Sequence, residues 1–249
     1  MNKNIKVNAA ILIIGNEILS GRTQDTNTST LAKWLNLIGV QVGEVRVIPD
    51  VEKIIIDTVN LLRKNYNYVF TTGGIGPTHD DITAVSISKA FGLNYEIHKE
   101  AFKILEAYYE PGEFNEGRQK MTWMPHNANL ILNPTSGAPG FNVENVFCLP
   151  GVPSILKSMI GALKHKIIGG EAIKSHTISL RTVESEIASS LTKVQDNNTD
   201  VEIGSYPFFQ AGKLGVSIVI RSHNQSKIDL CSSQILKFVG EKKIKIVKR

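Results

Sequence analysis

Hydrophobic positions in this chain alternate between short unbroken runs and longer stretches at helical spacing. Ala9-Ala10-Ile11-Leu12-Ile13-Ile14 is unbroken and stops at Gly15, which predicts a strand buried on both faces of a parallel sheet. Leu31, Trp34, Leu35 and Ile38 then recur with helical period, with Thr26-Asn27-Thr28 as candidate N-caps and Gly39 as the stop. Val40, Val42, Val45 and Val47 read as the next strand, ending at Pro49-Asp50. Asp50 sits where the cap of a following helix belongs, and Ile54, Ile55, Thr58, Val59 and Leu62 give that helix its apolar stripe. Tyr68-Val69-Phe70 is a third strand, and Ala84, Val85, Ile87, Ala90 and Phe91 form a helix closed by Gly92. The order β-α-β-α-β-loop-α predicts an α/β domain, a mostly parallel sheet with helices on both faces and right-handed crossovers. Ligands of such sheets bind at the carboxyl ends of the strands.

Residues 98–128 read as helical and then irregular. Phe102, Leu105 and Tyr109 share a face, Pro111-Gly112 breaks the pattern, and Arg118 lies on a short helix beyond. Leu130-Ile131-Leu132 predicts a strand entering Asn133-Pro134-Thr135-Ser136-Gly137-Ala138-Pro139-Gly140, a loop whose composition turn chemistry largely accounts for. Phe141–Val143 and Val146–Leu149 form a hairpin about Glu144-Asn145, and Ile155, Leu156, Met159 and Leu163 mark a helix after Pro150-Gly151. Gly169-Gly170 marks a boundary, giving expected domains of residues 1–170 and 171–249. The second part reads β-α-β-β-α-β, the split βαβ pattern of a small α+β, KH-like domain. Its Gly212-Lys213-Leu214-Gly215 matches the GxxG of nucleic-acid-binding KH modules. That motif belongs between helices, and here it is read as the turn of a β-hairpin.

Composition narrows the class. The 249 residues are 42% hydrophobic and 20% charged, as in ordinary globular domains. No apolar run approaches the roughly 20 residues of a membrane span, and the start at Met1 leads directly into a strand, so a cytoplasmic protein without membrane partner is expected. Cys148 and Cys231 are far apart and suggest buried core thiols, not a disulfide or zinc site. The net charge of +5 is uneven, with five basic residues between Lys242 and Arg249. No aromatic residue is interleaved there, so the tail reads as solvated and nucleic acid is not an expected partner.

The chemistry concentrates in Thr71-Thr72-Gly73-Gly74-Ile75-Gly76-Pro77-Thr78-His79-Asp80-Asp81-Ile82-Thr83, between a strand end and a helix start. Glycine there permits positive φ or close approach of a ligand to bare backbone. Amides freed at such a turn bind anions. Asp80 alone would read as a helix cap, but Asp80 and Asp81 together would repel a naked phosphate unless a divalent cation bridged them. Glu17, Asp50, Asp80 and Asp81 all follow strand ends, so four carboxylates are expected to face one crevice. Arg118 is a candidate phosphate clamp. His79 reads as a hydrogen-bonding loop residue.

Gly15-Asn16-Glu17-Ile18-Leu19-Ser20-Gly21, Asp25-Thr26-Asn27, the central loop, Asn133…Gly137-Ala138-Pro139-Gly140 and Leu149-Pro150-Gly151-Val152-Pro153 together resemble the MoaB/Mog-type molybdopterin-binding fold. The closer likeness is to its CinA branch, the competence/damage-inducible protein A family, and Ile203-Gly204-Ser205-Tyr206-Pro207 extends it into the small domain. The resemblance implies a three-layer α/β domain, a homo-oligomer, and a ligand that is a nucleotide or pterin phosphate, with molybdopterin as one possibility. By motif, the functional aspartates of the fold fall on Asp50 and Asp81. Expected ligand contacts fall on Asn16, Thr72, Gly73, Gly74, Gly76, Pro77, Thr78, Arg118, Ser136, Gly137, Pro150 and Gly151. The CinA branch is associated with metal-dependent ADP-ribose pyrophosphatase activity, and a related domain accompanies eukaryotic FAD synthase. Longer CinA proteins add a nicotinamide-mononucleotide deamidase domain that these residues do not include, so a short form without that activity is expected.

The expected function is therefore a hydrolase of a nucleotide diphosphate using Mg²⁺ or Co²⁺. Asp80 and Asp81 are the expected metal ligands, and Asp81, Asp50 and Glu17 the expected catalytic groups. The alternatives are a non-catalytic binding or regulatory module and a molybdenum-cofactor biosynthesis enzyme.

Overall fold

The computed structural model describes residues 7–210 and 212–247. The chain divides between Glu171 and Ala172 into two compact units.

The first unit runs β1 (Val7–Ile14), α1 (Asn16–Leu19), α2 (Asn27–Leu37), β2 (Val40–Ile48), α3 (Glu52–Asn65), β3 (Tyr68–Thr72) and α4 (Thr83–Phe91). It continues through β4 (Tyr95–Ile97), α5 (Lys99–Tyr108), α6 (Glu116–Lys120), β5 (Trp123–Pro125), β6 (Asn129–Ile131), β7 (Gly140–Val143), β8 (Val146–Leu149) and α7 (Pro153–Ile160). Six strands form one sheet in the order β2-β1-β3-β8-β7-β6, while β4 and β5 pair separately. Strands β2, β1, β3 and β8 are parallel, β7 runs antiparallel to β8, and β6 antiparallel to β7.

The unbroken apolar run of β1 now has its physical cause. Ala10, Leu12 and Ile14 pack on one face with Ile55, Val59 and Leu62 of α3 and Ile87 of α4. Ala9, Ile11 and Ile13 pack on the other with Leu31 and Leu35 of α2 and Leu156 and Met159 of α7. The unit is thus three layers about one mostly parallel sheet, and each fully buried aliphatic side chain in it contributes about 1.5–3 kcal/mol. The chain leaves β1 for β2 on one side and reaches β3 on the other. That change of direction opens a crevice at the carboxyl ends of β1 and β3.

Several local expectations are corrected. Asn16–Leu19, directly after β1, forms a short helix that the sequence pattern did not indicate. Helix α2 is capped by Asp25, whose carboxylate accepts from the Asn27 and Thr28 amides. Thr26 makes no side-chain cap bond. Asp50 does not cap α3, which follows Val51, and Ile54 is exposed on that helix. Residues 98–128 hold α5, α6 and the short strand β5, which pairs with β4. In β2, Val42 pairs with Ala9 and Glu44 with Ala10, leaving Gly43 as a bulge. Beyond it Val45 and Val47 are exposed. Gly92 ends α4 at φ 65° in the left-handed region, as its place predicts.

The second unit is β9 (Lys174–Leu180), α8 (Glu184–Asp196), β10 (Glu202–Gln210), β11 (Lys213–Ser222), α9 (Gln225–Glu241) and β12 (Ile246–Val247). Its antiparallel sheet has the order β10-β11-β9-β12, the split βαβ arrangement read from the sequence. Ile178, Leu180, Ile218 and Ile220 of the sheet pack with Ile187 of α8 and Ile228 and Ile235 of α9. Gly212, at φ 71°, turns the β10–β11 hairpin, so the Gly212–Gly215 segment lies between two strands.

Candidate functional site

Two clefts open at the carboxyl end of the first unit's sheet. The first lies at the β1–β3 switch point and is lined by Ile13, Glu17, Asp25, Asn27, Thr72, Gly73 and Gly151. Gly73 follows β3 at φ 105°, where a Cβ would collide with the Ile14 carbonyl. Its amide donates to the Leu149 carbonyl at 3.1 Å, so the turn is pinned between β1 and β8. Asn27 is buried and donates from Nδ2 to Thr72 Oγ1 at 2.8 Å and to the Gly151 carbonyl at 2.7 Å. A carbonyl only accepts, which fixes the orientation of the amide. Asn27 Oδ1 is buried without a partner among the described residues. The Glu17 carboxylate folds over Gly15, where a Cβ would lie 2.5 Å from Oε1.

The second cleft is lined by Ile75, Gly76, Asp81, Tyr95, Lys120, Trp123 and Pro139, among others. Gly74, at φ 67°, leaves room for Thr83, whose Oγ1 donates to the Gly73 carbonyl at 3.0 Å and whose amide donates to the Gly74 carbonyl at 2.9 Å. The bare face expected to admit a ligand at Gly74 is therefore filled by the first residue of α4. At Gly76 a Cβ would lie 2.7 Å from Asp81 Oδ2, so this glycine makes space for a carboxylate. Among the described residues, the amides of Gly74, Ile75 and Gly76 donate to no group of the protein. Thr78 organises the acidic end of the loop. Its amide donates to Asp81 Oδ2 at 2.8 Å, and its hydroxyl lies 2.6 Å from Asp80 Oδ1 and 2.5 Å from Asp81 Oδ2. The hydrogen bond from Thr78 holds the exposed Asp80 carboxyl below its ordinary range, its own backbone amide assisting.

The four carboxylates do not share one crevice as expected. Glu17 lines the first cleft and Asp81 the second. Asp50 Oδ2 accepts the Asn16 amide at 2.8 Å, tying the end of β2 to the start of α1. Arg118 is engaged elsewhere. Its Nη1 lies 3.2 Å from Glu113 Oε2, it also donates to the Glu113 carbonyl, and its guanidinium stacks 4.0 Å from the Tyr109 ring centre. Ser136 is bound by Asn133, and Gly137 packs against the Tyr108 ring. Thr72 Oγ1 also approaches the Pro150 carbonyl at 3.4 Å. Pro77 lies against Gly117 of α6. Cys148 is fully buried and burial pushes its thiol up to about 12, which leaves it a core residue.

Lys120 is the residue that the sequence reading missed. Its Nζ donates to the Thr78 carbonyl across 42 positions, and it adds to the fields that keep Asp80 ionised. Its only sequence signal is a position two residues after Arg118.

For a divalent cation, the side chains offer oxygen from Asp80, Asp81 and Thr78. Hard ions such as Mg²⁺ take such donors, and Mg²⁺ is commonly held by one or two carboxylates together with substrate phosphate. Two carboxylates converge on a single hydroxyl that has one proton to give, so the donor set fits a hard cation. Among the described residues no group of three or more His, Cys, Asp or Glu side chains is placed to hold a metal.

Residues 10–169 match the family described as a probable molybdopterin binding domain. The chain belongs to that family. Residues 172–248 of this molybdopterin-binding family member match the FAD synthase middle domain. A protein of Archaeoglobus fulgidus is 36% identical over 197 residues, 79% of this chain and 84% of its own. Another, of Pyrobaculum calidifontis, is 32% identical over 210 residues, 80% of each chain. The structure of CinA from Thermoplasma acidophilum, a protein described as of unknown function, is 31% identical with a TM-score of 0.61. It covers 65% of this chain and 98% of its own. The MoaB/Mog-like fold and the likeness to CinA are thus established. No helix among the described residues is long and apolar enough to cross a membrane.

Proposed function

We propose that the Gly73–Asp81 loop is the phosphate site of a divalent-cation-dependent hydrolase of a nucleotide diphosphate such as ADP-ribose. One observation carries the reading: three backbone amides without protein partners, at Gly74, Ile75 and Gly76, stand between a turn pinned to the sheet and a cleft that holds both Asp81 and Lys120. Free amides and an ammonium bind phosphate oxygens, while the carboxylates call for a cation between. Asp80 and Asp81 would hold that ion, which when bound supplies charge neutralisation and an acidified water.

In the reaction, a water oxygen bonds to one phosphorus and the bridging P–O bond breaks, leaving two phosphate monoesters. The loop amides hold the attacked phosphate, and Lys120 balances charge on the departing one. We assign the proton lost by the water to Glu17, which lines the first cleft together with Gly73, the residue that precedes the free amides. Asp50 acts through position, by fixing the amide of Asn16 next to Glu17.

Incubating the purified protein with ADP-ribose and Mg²⁺ or Co²⁺ should release AMP and ribose 5-phosphate, with chelator abolishing release. The lack of a third acidic or histidine ligand beside Asp80 and Asp81 among the described residues favours, as second reading, a binding module without turnover. Saturable ADP-ribose binding with no product would decide for that module against the hydrolase.

A further inference from the structure

We propose that Trp123 and Tyr95 form a stacking platform for the planar, nitrogen-rich ring of a phosphate-bearing ligand. The proposal rests on the phosphate reading of the loop beside it. The short ribbon of β4 and β5 places the two rings 5.4 Å apart and inclined by 42°. Tyr95 is packed against the core, and burial raises its phenol. Trp123 stays 38% exposed, although a side chain of this size generally gains most from burial.

These rings border two adjoining spaces. One is the cleft with Gly76, Asp81 and Lys120. The other is an open depression of about 400 Å³ lined by Tyr95, Glu116, Gln119, Lys120 and Trp123. Lys120 belongs to both, with its ammonium held on the Thr78 carbonyl. A ligand with phosphate on the loop amides would pass Lys120 and bring its ring over the indole. Polar groups at the rim select further. Gln119 spends its Nε2 on the Phe114 carbonyl at 3.1 Å, leaving Oε1 to accept, and Glu116 also accepts. Both favour a ring with an exocyclic amino group, which adenine and pterin share. Stacking a base on an aromatic side chain is a large, shape-tolerant contribution to affinity.

The chain has two tryptophans, and the half-buried Trp34 packs edge-on against the core residue Phe70, 6.1 Å away. A Trp34→Phe variant of the full chain therefore reports Trp123 fluorescence alone. Titrated with Mg²⁺ present, it should show saturable quenching with ADP or with 6-hydroxymethylpterin diphosphate, and none with inorganic pyrophosphate. The arm that quenches at lower concentration identifies the ring. By calorimetry on the otherwise unaltered protein, Trp123→Ala should weaken binding of that ligand by about 10- to 100-fold and leave pyrophosphate unchanged, while Trp123→Phe restores most of the loss. If pyrophosphate binds but Trp123→Ala leaves the ring-bearing ligand unaffected, the platform is wrong and the phosphate site stands. If pyrophosphate, ADP and the pterin diphosphate all fail to bind the folded protein, platform and phosphate site fall together.

Discussion

Asn27 reaches Thr72 across 45 positions, and its Nδ2 donates to the threonine Oγ1 at 2.8 Å while also serving the Gly151 carbonyl. One buried amide thereby ties the start of α2 to the ends of β3 and β8. Asn27→Ala should cost about 1–3 kcal/mol, since it leaves a buried carbonyl without its donor. Asn27→Asp should cost more, because a carboxylate would face that carbonyl. Urea unfolding of both variants checks the order, and an Asn27→Asp protein as stable as the parent would contradict it.

The glycines of the loop should separate by what fills the space beside them. Gly73→Ala sets a Cβ against the Ile14 backbone at a φ of 105°, so neither partner can yield. We expect poor folding, or a midpoint lowered by about 5–10 °C, on the order of 2–3 kcal/mol. Gly76→Ala meets only the Asp81 carboxylate. It should fold with a nearly unchanged midpoint yet lose pyrophosphate affinity in calorimetry. Reversal of the two phenotypes would show that Gly73 serves the ligand and Gly76 the fold.

Thr78 sets the ionisation of Asp80. In Thr78→Val the hydroxyl is gone, and the Asp80 carboxyl should rise toward the ordinary range, whereas Thr78→Ser should keep it low. A depressed folded value means that the associated stabilisation is present above the ordinary carboxyl range and is lost as pH falls through the depressed value. Thr78→Val should therefore lose this pH dependence at the acidic end. Carboxyl-carbon NMR titration reads it directly, and an unmoved Asp80 resonance in Thr78→Val would sink the assignment.

Asp81→Asn retains an acceptor for the Thr78 amide and removes the charge, so the fold should survive. Cation-dependent turnover of ADP-ribose should fall by about 100-fold or more, as for loss of a ligand or its immediate support. Circular dichroism and product analysis in parallel test this. Full activity with unchanged Mg²⁺ dependence would leave Asp81 as a loop brace for Thr78.

The sequence made most of the scaffold legible because its signals are local. The six-residue apolar run of β1 requires two covered faces, and Gly92 marks the end of α4 by conformation alone. The strands β4 and β5 escaped because each has three residues, too few to show a period, and one ends in Pro125. Asn27 looked like a cap because its partners lie in distant strands. Lys120 carries no meaning until α6 folds back onto Thr78. At Gly73, Gly74 and Gly76 the need for glycine was visible, but not its cause, which is crowding by Ile14, Thr83 and Asp81. Glu17, Asp50, Asp80 and Asp81 follow the ends of β1, β2 and β3, but the single crevice expected for them is not found. Their division between two clefts depends on side-chain partners such as the Asn16 amide.

The bulge at Gly43 acts as a phase adjuster for everything downstream of it on β2. Its extra residue turns Val45 and Val47 outward and brings Ile48 inward to the core. It also sets the length of chain with which β2 delivers Asp50 to the Asn16 amide. A parallel strand cut one residue shorter would invert its two faces, taking Glu44 and Arg46 off the face they share with Ala10 and Leu12 and pulling Asp50 off its partner. The spare residue thus couples the edge strand of the sheet to the entry of α1. Hydrogen exchange at the Asn16 amide would register a Gly43 deletion before any change in the clefts themselves.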